Sequence, residues 1–261
     1  MTMPPITLTE RLAALLQRLG LGGRGSQQLR EQAARLRLPF APLPEVPDSI
    51  WWQDGPPLQR LADLPRGALS GPVQEDKAAA HGALRALIRV EERQIGEFDL
   101  RWIDGLGGAP ESGWRFNRFE DYAASSACRS IRLISYKDFS RTLAQALPHH
   151  ASGETLYLRQ ASWRGERYFW SGEQAAPAFA CAVAYARRRG LTIQLPALLS
   201  EYRLSRSGLD QLDAGYHVLA MPAAAWSDAR FMRLLLTGMP YARLNLLRDS
   251  GGPEFLLLPR S

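Results

Sequence analysis

Two cysteines, four histidines and a few neighbouring carboxylates are the residues of this 261-residue sequence best suited to chemistry. Cys128 lies in SSACRS, beside Arg129. A nearby guanidinium favours the thiolate, the reactive form of cysteine. A nucleophile also needs a base, and only the folded chain could bring His81, His149, His150 or His217 to it. Cys181, between Ala180 and Ala182, reads as a small core residue of a helix. His149 and His150 are adjacent, and adjacent side chains do not face one metal ion from a regular helix or strand. No metal site and no cofactor are expected. Asp210 with Asp213, and Glu91 with Glu92, come nearest to paired carboxylates. Glycosidase-type chemistry needs two carboxylates facing across a cleft, which sequence neighbours do not report, so a surface position is expected for them. The sequence has no G-x-x-x-x-G-K-[ST] loop, no G-x-S-x-G elbow and no H-E-x-x-H. A standard P-loop hydrolase is thereby excluded, and an ordinary α/β-hydrolase is not supported. An enzyme with an unrecognised site would draw on Cys128, His149, His150, Asp104 or Glu173.

Two glycine sets resemble phosphate loops without the context such loops need. Gly20, Gly22 and Gly25 match G-x-G-x-x-G, but a helical pattern comes before them where a strand is required, so they read as a hinge. Gly105, Gly107 and Gly108 follow a strand pattern but lack the third glycine and run into Pro110, which makes a plain loop.

The stretch RYFWSGEQAAPAFACAVAYARRRGLTIQL, residues 167–195, reads as strand, glycine turn, small-residue helix, basic stop and strand. Its turn, Ser171, Gly172, Glu173 and Gln174 followed by Ala175, resembles that of the ParB/sulfiredoxin-like superfamily. Members often carry Asp/Asn-Gly-x-His-Arg there, with phosphate held by the turn and the helix N-terminus. The resemblance implies a phosphate turn in which Gly172, Glu173 and Gln174 offer backbone N–H groups. The glycine is kept and the His-Arg pair is absent, and Glu173 is an awkward neighbour for an anion. A retained scaffold with a lost or altered site is expected. The helix explains its own composition: Phe179, Val183 and Ala186 share a face, and Ala180, Ala182 and Ala184 permit close approach. Arg187, Arg188 and Arg189 complement the negative end of the helix dipole.

The elements that must position these residues follow from periodicity. Thr7 and Glu10 cap a helix over 7–19, and a second helix runs over 26–36. Docking of this pair on the body, or on a partner, is expected. Prolines crowd residues 39–72, so long regular elements are not expected there. Strands are expected at 83–95 and 96–104 with Gly96 at their junction, and short elements follow: a helix at 119–128 and a strand at 130–135. Ser135 and Asp138 make a capping box for a helix over 136–147. A hairpin spans 155–172 with its turn at Arg164–Gly165, a helix follows to Gly190, and strands are read at 191–195 and 216–221. Ser227 caps a helix over 228–238, and ARLNLLR, DSGGP and EFLLLPR form a closing hairpin. The expectation is an α+β fold with a mainly antiparallel or mixed sheet. Its divisions are an N-terminal helical segment (1–38), a Pro-rich irregular segment (39–80) and an α+β core (81–261).

Composition narrows the function. The net charge is +6, and all but two of the 32 basic residues are arginine, Lys77 and Lys137 being the exceptions. Abundant Arg, Ala, Leu, Gly and Pro match GC-rich bacterial coding, and the arginines are spread rather than clustered. Two cysteines give no disulfide framework. The N-terminus lacks an uninterrupted apolar stretch, and no run of roughly 18 apolar residues occurs, so a cytoplasmic protein without membrane contact is expected. The first reading is a non-catalytic binding or regulatory protein acting through protein–protein contacts. Trp51 and Trp52, in the Pro-rich segment, would be its partner-binding pair, and changing either would abolish binding without unfolding the chain. The second is a nucleic-acid-binding or degenerate ParB-like nuclease-type protein. It would use the aromatic–basic mixtures GWRFNRF and SWRGERYFW, with Trp114, Arg115, Arg118, Arg164 and Arg167 as contacts. The third is the unrecognised enzyme above.

Overall fold

A computed structural model gives the fold and describes residues 31, 34–38, 48–109, 115–172, 174–236, 240–246 and 254–260. Its helices are α1 (Gln74–Arg85), α2 (Phe119–Ala123), α3 (Tyr136–Ala146), α4 (Ala176–Arg189), α5 (Arg206–Gly215) and α6 (Ala229–Leu236). Its strands are β1 (Leu69–Ser70), β2 (Ile88–Asp99), β3 (Ile103–Leu106), β4 (Leu156–Ala161), β5 (Trp163–Glu166), β6 (Tyr168–Trp170), β7 (Gln194–Leu204), β8 (Tyr216–Met221), β9 (Ala242–Leu244) and β10 (Glu254–Pro259). One four-stranded and one five-stranded sheet with these helices make the expected α+β fold. The helix read at 7–19, the hinge at 20–25 and most of the helix read at 26–36 lie outside the described residues. Contacts group the chain into two units of interleaved segments. One takes Met1–Leu43, Arg60–Ile88 and Ser205–Ser261, and the other Pro44–Gln59 and Arg89–Leu204.

In the first unit the sheet runs β1-β9-β10-β8 and is antiparallel throughout. β9 and β10 are the arms of the closing hairpin, and its DSGGP turn lies outside the described residues. Leu256 and Leu258 pack with Met221, with Phe231, Leu234 and Leu235 of α6, and with Leu36. The cap of α6 is Asp228, not the expected Ser227. One Asp228 carboxylate oxygen accepts from the N–H groups of Arg230 and Phe231, each at 2.8 Å. A carboxylate serves two helix-end donors better than a hydroxyl, and Ser227 instead ends the 3-10 turn Ala223–Ser227.

α1 replaces the end of the Pro-rich segment and the start of an expected strand. The last proline is Pro72, an alanine run follows, and Glu75, Asp76 and Arg85 complement the helix dipole. α5 has no counterpart in the sequence reading. Ser205 caps it through the N–H of Gly208 at 3.2 Å. Gly208 lets the helix meet the chain after α1, since a Cβ there would lie 2.1 Å from the Ala86 carbonyl.

In the second unit the order is β2-β7-β4-β6-β3. β4 is parallel to β7 and antiparallel to β6, and β6 is parallel to β3. β4 and β6 are the arms of the hairpin read at 155–172, and Gly165 in its turn has φ +65°. The capping box on α3 is present: the Ser135 hydroxyl accepts from the Asp138 N–H, and the Asp138 carboxylate accepts from the Ser135 N–H. Gly190 closes α4 in the left-handed region. Phe179 and Val183 of α4, Phe139 and Leu143 of α3, and Leu156, Leu158 and Trp170 of the sheet form the core. The buried alanines of α4 let it sit close to the strands.

Three elements differ from expectation. β2 is one strand running through Gly96, where a Cβ would meet nothing within 4 Å, so no turn is imposed there. Residues 130–134 form no strand; Ile131 and Leu133 pack on the core from an irregular segment. β7 runs on from Gln194 past Pro196. The proline comes one residue before the Leu156–Ala197 pair that opens the ladder with β4, a strand-start position that proline tolerates.

Asp99 ends β2 and caps the 3-10 turn Leu100–Trp102, accepting from the Arg101 N–H at 2.9 Å and from its guanidinium at 2.6 Å. Burial pushes the Asp99 carboxyl up, but the bonds and charge of Arg101 outweigh it and hold the group below its ordinary value. Its stabilising effect is therefore complete above the unfolded pKa of about 3.9 and fades as pH falls through the lower folded value. Urea titrations between neutral and acid pH should show Asp99→Asn less stable than the parent at neutral pH and flatter in acid. An unchanged acid slope in the variant would remove Asp99 from this role.

Candidate functional site

β6 ends at Trp170, and the chain turns over that indole before α4 begins. The Ser171 N–H donates to the Tyr157 carbonyl at 2.8 Å, which ties the turn to β4. Gly172 is required by close approach: a Cβ there would lie 2.0 Å from the Trp170 ring. Trp170 in turn stacks on Phe179 of α4, with centroids 3.9 Å apart and planes 13° from parallel. Ala175, the residue before α4, has φ 50° and is alone among the described non-glycine residues in the left-handed region. Such a conformation costs of order 1–2 kcal/mol for a residue with a Cβ, and strain of this kind gathers at functional sites. No described side chain caps α4, and Pro177 occupies its first turn.

The turn borders a cleft of about 470 Å³. Tyr157 and Arg159 of β4 and Leu198 and Ser200 of β7 line it, with Gly172 and Gln174 from the turn. The ladder pairs Tyr157 with Leu198 and Arg159 with Ser200, so these four side chains project from the same face of the sheet. Leu156, Leu158 and Leu199 alternate with them and point into the core. Tyr157 is 59% exposed. The Arg159 guanidinium has no hydrogen bond or ion pair with any described residue. The described carboxylate of the cleft, Glu154, accepts from the His149 N–H at 2.7 Å. A guanidinium beside an exposed tyrosine and a set of small polar groups can hold an anionic group in a bidentate fork.

Gly172 and Gln174 are therefore at the cleft, and Glu173 lies outside the described residues. The other residues singled out in the sequence are not brought to it. Trp51 and Trp52 are 4% and 5% exposed and pin the segment from Ile50 to Gly55 onto the sheet. Trp51 bridges to Leu106, and the ring of Trp52 meets Phe169 edge-on. They offer no surface to a partner, because burying two indoles is worth more than exposing them. Arg164, expected on nucleic acid, is 8% exposed and donates to the carbonyls of Ser49, Trp51 and Trp52. Arg167 pairs with Asp48 and donates to the Asp104 and Asn117 carbonyls. Arg115 is exposed, Arg118 is exposed and pairs with Glu120, and Trp114 lies outside the described residues.

The catalytic candidates have internal roles. Cys128 is 1% exposed, and its thiol lies against that of Cys181 and near the Pro177 carbonyl. A hydrogen bond from Cys181 lowers the Cys128 pKa against the effect of burial, while the same bond and burial push Cys181 up. The Arg129 influence expected on Cys128 is replaced by a buried thiol pair that a substrate could not reach. His150 bonds to the Leu147 carbonyl and the Ser140 hydroxyl, closing the end of α3. Asp104 pairs with Arg187 at 2.9 Å, and the same guanidinium serves the Arg101 and Ile103 carbonyls. Among the described residues no group of three or more His, Cys, Asp or Glu is placed to hold a metal ion. No described helix is long and apolar enough to cross a membrane.

Sequence reasoning missed Tyr157, Arg159, Leu198 and Ser200. The alternation in TLYLRQA did place Tyr157 and Arg159 opposite the core leucines; the partner strand that completes the floor lies beyond Pro196. No curated protein and no solved structure matches the chain. Residues 93–261, which include every lining residue of the cleft, match the profile of a family of unknown function, DUF6685. With most of its length inside that match, the chain belongs to the DUF6685 family.

Proposed function

We propose that this is a non-catalytic, cytoplasmic binding or regulatory protein that takes an acidic segment of a protein partner in the cleft at the Gly172 turn. The observation that carries the reading is Arg159, whose guanidinium has no described partner on the open stretch of the β4–β7 face. A partner carboxylate would receive its two donors. Tyr157 and Leu198 would cover the apolar part of the same segment, and Gln174 and Ser200 would bond its backbone. The internal engagement of Cys128, His150 and Asp104 supports binding over catalysis.

Selection of a random peptide library on the purified full chain tests this. Enriched peptides should carry an Asp or Glu next to an apolar residue. Arg159→Glu should weaken them by at least tenfold, about the loss of one charge-assisted bond plus repulsion. No enrichment, or affinities indifferent to Arg159→Glu, would sink the proposal. Salt-sensitive retention of single-stranded oligonucleotides in place of peptides would put the nucleic-acid reading ahead of it.

A further inference from the structure

We infer that a second site, in the first unit, binds the phosphate group of a small molecule. A cavity of about 520 Å³ lies beside β1 and α1, lined by Arg66, Gly67, Leu69, Gln74, Lys77 and His81. Its described titratable lining is entirely basic. Glu75 and Asp76, the acids of the first turn of α1, are not part of it.

The basic groups are also unspent. The side chains of Arg66 and Lys77 have no hydrogen bond or ion pair with any described residue. His81 Nε2–H donates to the Leu64 carbonyl at 2.7 Å, which fixes the ring in the wall and leaves Nδ1 unbonded. Lys77 is one of only two lysines in the chain. Arg66 and Lys77 face one concavity that no described carboxylate lines, so the local potential is raised and an anion of high charge density relieves it. Arg66 can grip two oxygens of such an anion in its planar fork, and Lys77 adds a compact charge. Leu69 gives an apolar patch for the body of the molecule. The volume is in the range of small-ligand sites, roughly 300–1,000 Å³.

Isothermal titration of the full chain with inorganic pyrophosphate is the test. Saturable binding at a single site is expected. Lys77→Ala and Arg66→Ala should each weaken it by at least about tenfold, the value of one charge-assisted hydrogen bond. Gly67→Phe leaves every charge in place and adds bulk at a wall position where a Cβ meets nothing within 4 Å. It should weaken binding as well. Lys137→Ala removes the other lysine and should change nothing. Thermal melting without ligand should be the same for all the charge variants, since neither the Arg66 nor the Lys77 side chain holds a described structural partner. Absence of saturable heat at millimolar pyrophosphate would overturn the inference. So would affinity unaltered by both Lys77→Ala and Gly67→Phe, or a loss in Lys137→Ala equal to that in Lys77→Ala.

Discussion

Phe179→Ala should lower the unfolding free energy by about 4 kcal/mol, the usual cost of deleting a fully buried phenyl ring. Phe179 lies at the centre of the packing between α4 and the five-stranded sheet and is fully buried. Its ring stacks on Trp170 at 3.9 Å. The alanine would leave a cavity that the flanking alanines of α4 are too small to fill. The same stack supports the turn, because Gly172 rests against the Trp170 indole. Loss of peptide binding should therefore accompany loss of stability, although Phe179 lines no part of the cleft. Phe179→Leu should recover most of both. Urea unfolding followed by tryptophan fluorescence measures the first effect, and peptide affinity well below the transition measures the second. A stable Phe179→Ala protein with unaltered affinity would mean that α4 is not held as described.

The second large effect is expected at Arg164. Its guanidinium donates to the carbonyls of Ser49 and Trp51 at 3.1 Å and of Trp52 at 3.4 Å, and it lies over the Phe169 ring at 4.9 Å. Trp51 and Trp52 carbonyls have second donors in the N–H groups of Asp54 and Gly55. Burial pushes the Arg164 pKa down and the nearby Arg167 charge adds to this, yet a guanidinium stays protonated at neutral pH. Gly55 makes room for it: a Cβ at Gly55 would lie 1.8 Å from Arg164 Nη1. Arg164→Ala should cost about 3 kcal/mol, because buried carbonyls lose a charged donor and the segment bearing both tryptophans loses its clamp. Arg164→Lys should recover only part of this, since one ammonium cannot reach three diverging carbonyls. Melting temperature together with tryptophan emission gives the measurement. A variant that melts like the parent but loses oligonucleotide binding would restore Arg164 to the nucleic-acid role its sequence context suggests.

These two residues show what reading the sequence can reach. The amphipathic pattern of α4 put Phe179 on the packed face, and its burial agrees. The same kind of reading put Arg164 outward, because arginine beside aromatics in a hairpin turn is normally solvated. Only the docking of residues 49–55 over the hairpin turns it into a buried clamp, and that contact joins segments more than a hundred residues apart. The tryptophans follow the same logic. Their type signals a large apolar surface, but whether the surface meets the chain itself or a partner is settled by what lies opposite.

Local features were legible in the residues alone: the α+β class, the Ser135–Asp138 capping box, the hairpin arms, the Gly190 stop and the strand–turn–helix around Gly172. Each depends on residues a few positions apart, where side-chain period, capping and turn chemistry act directly. The remaining features arise from packing between distant segments. The parallel pairing of β4 with β7 brings Tyr157 and Arg159 beside Leu198 and Ser200, and packing makes Cys128, Trp51, Trp52 and Arg164 internal. Register and burial between distant segments are set by which apolar faces cover one another, and no local pattern encodes that choice.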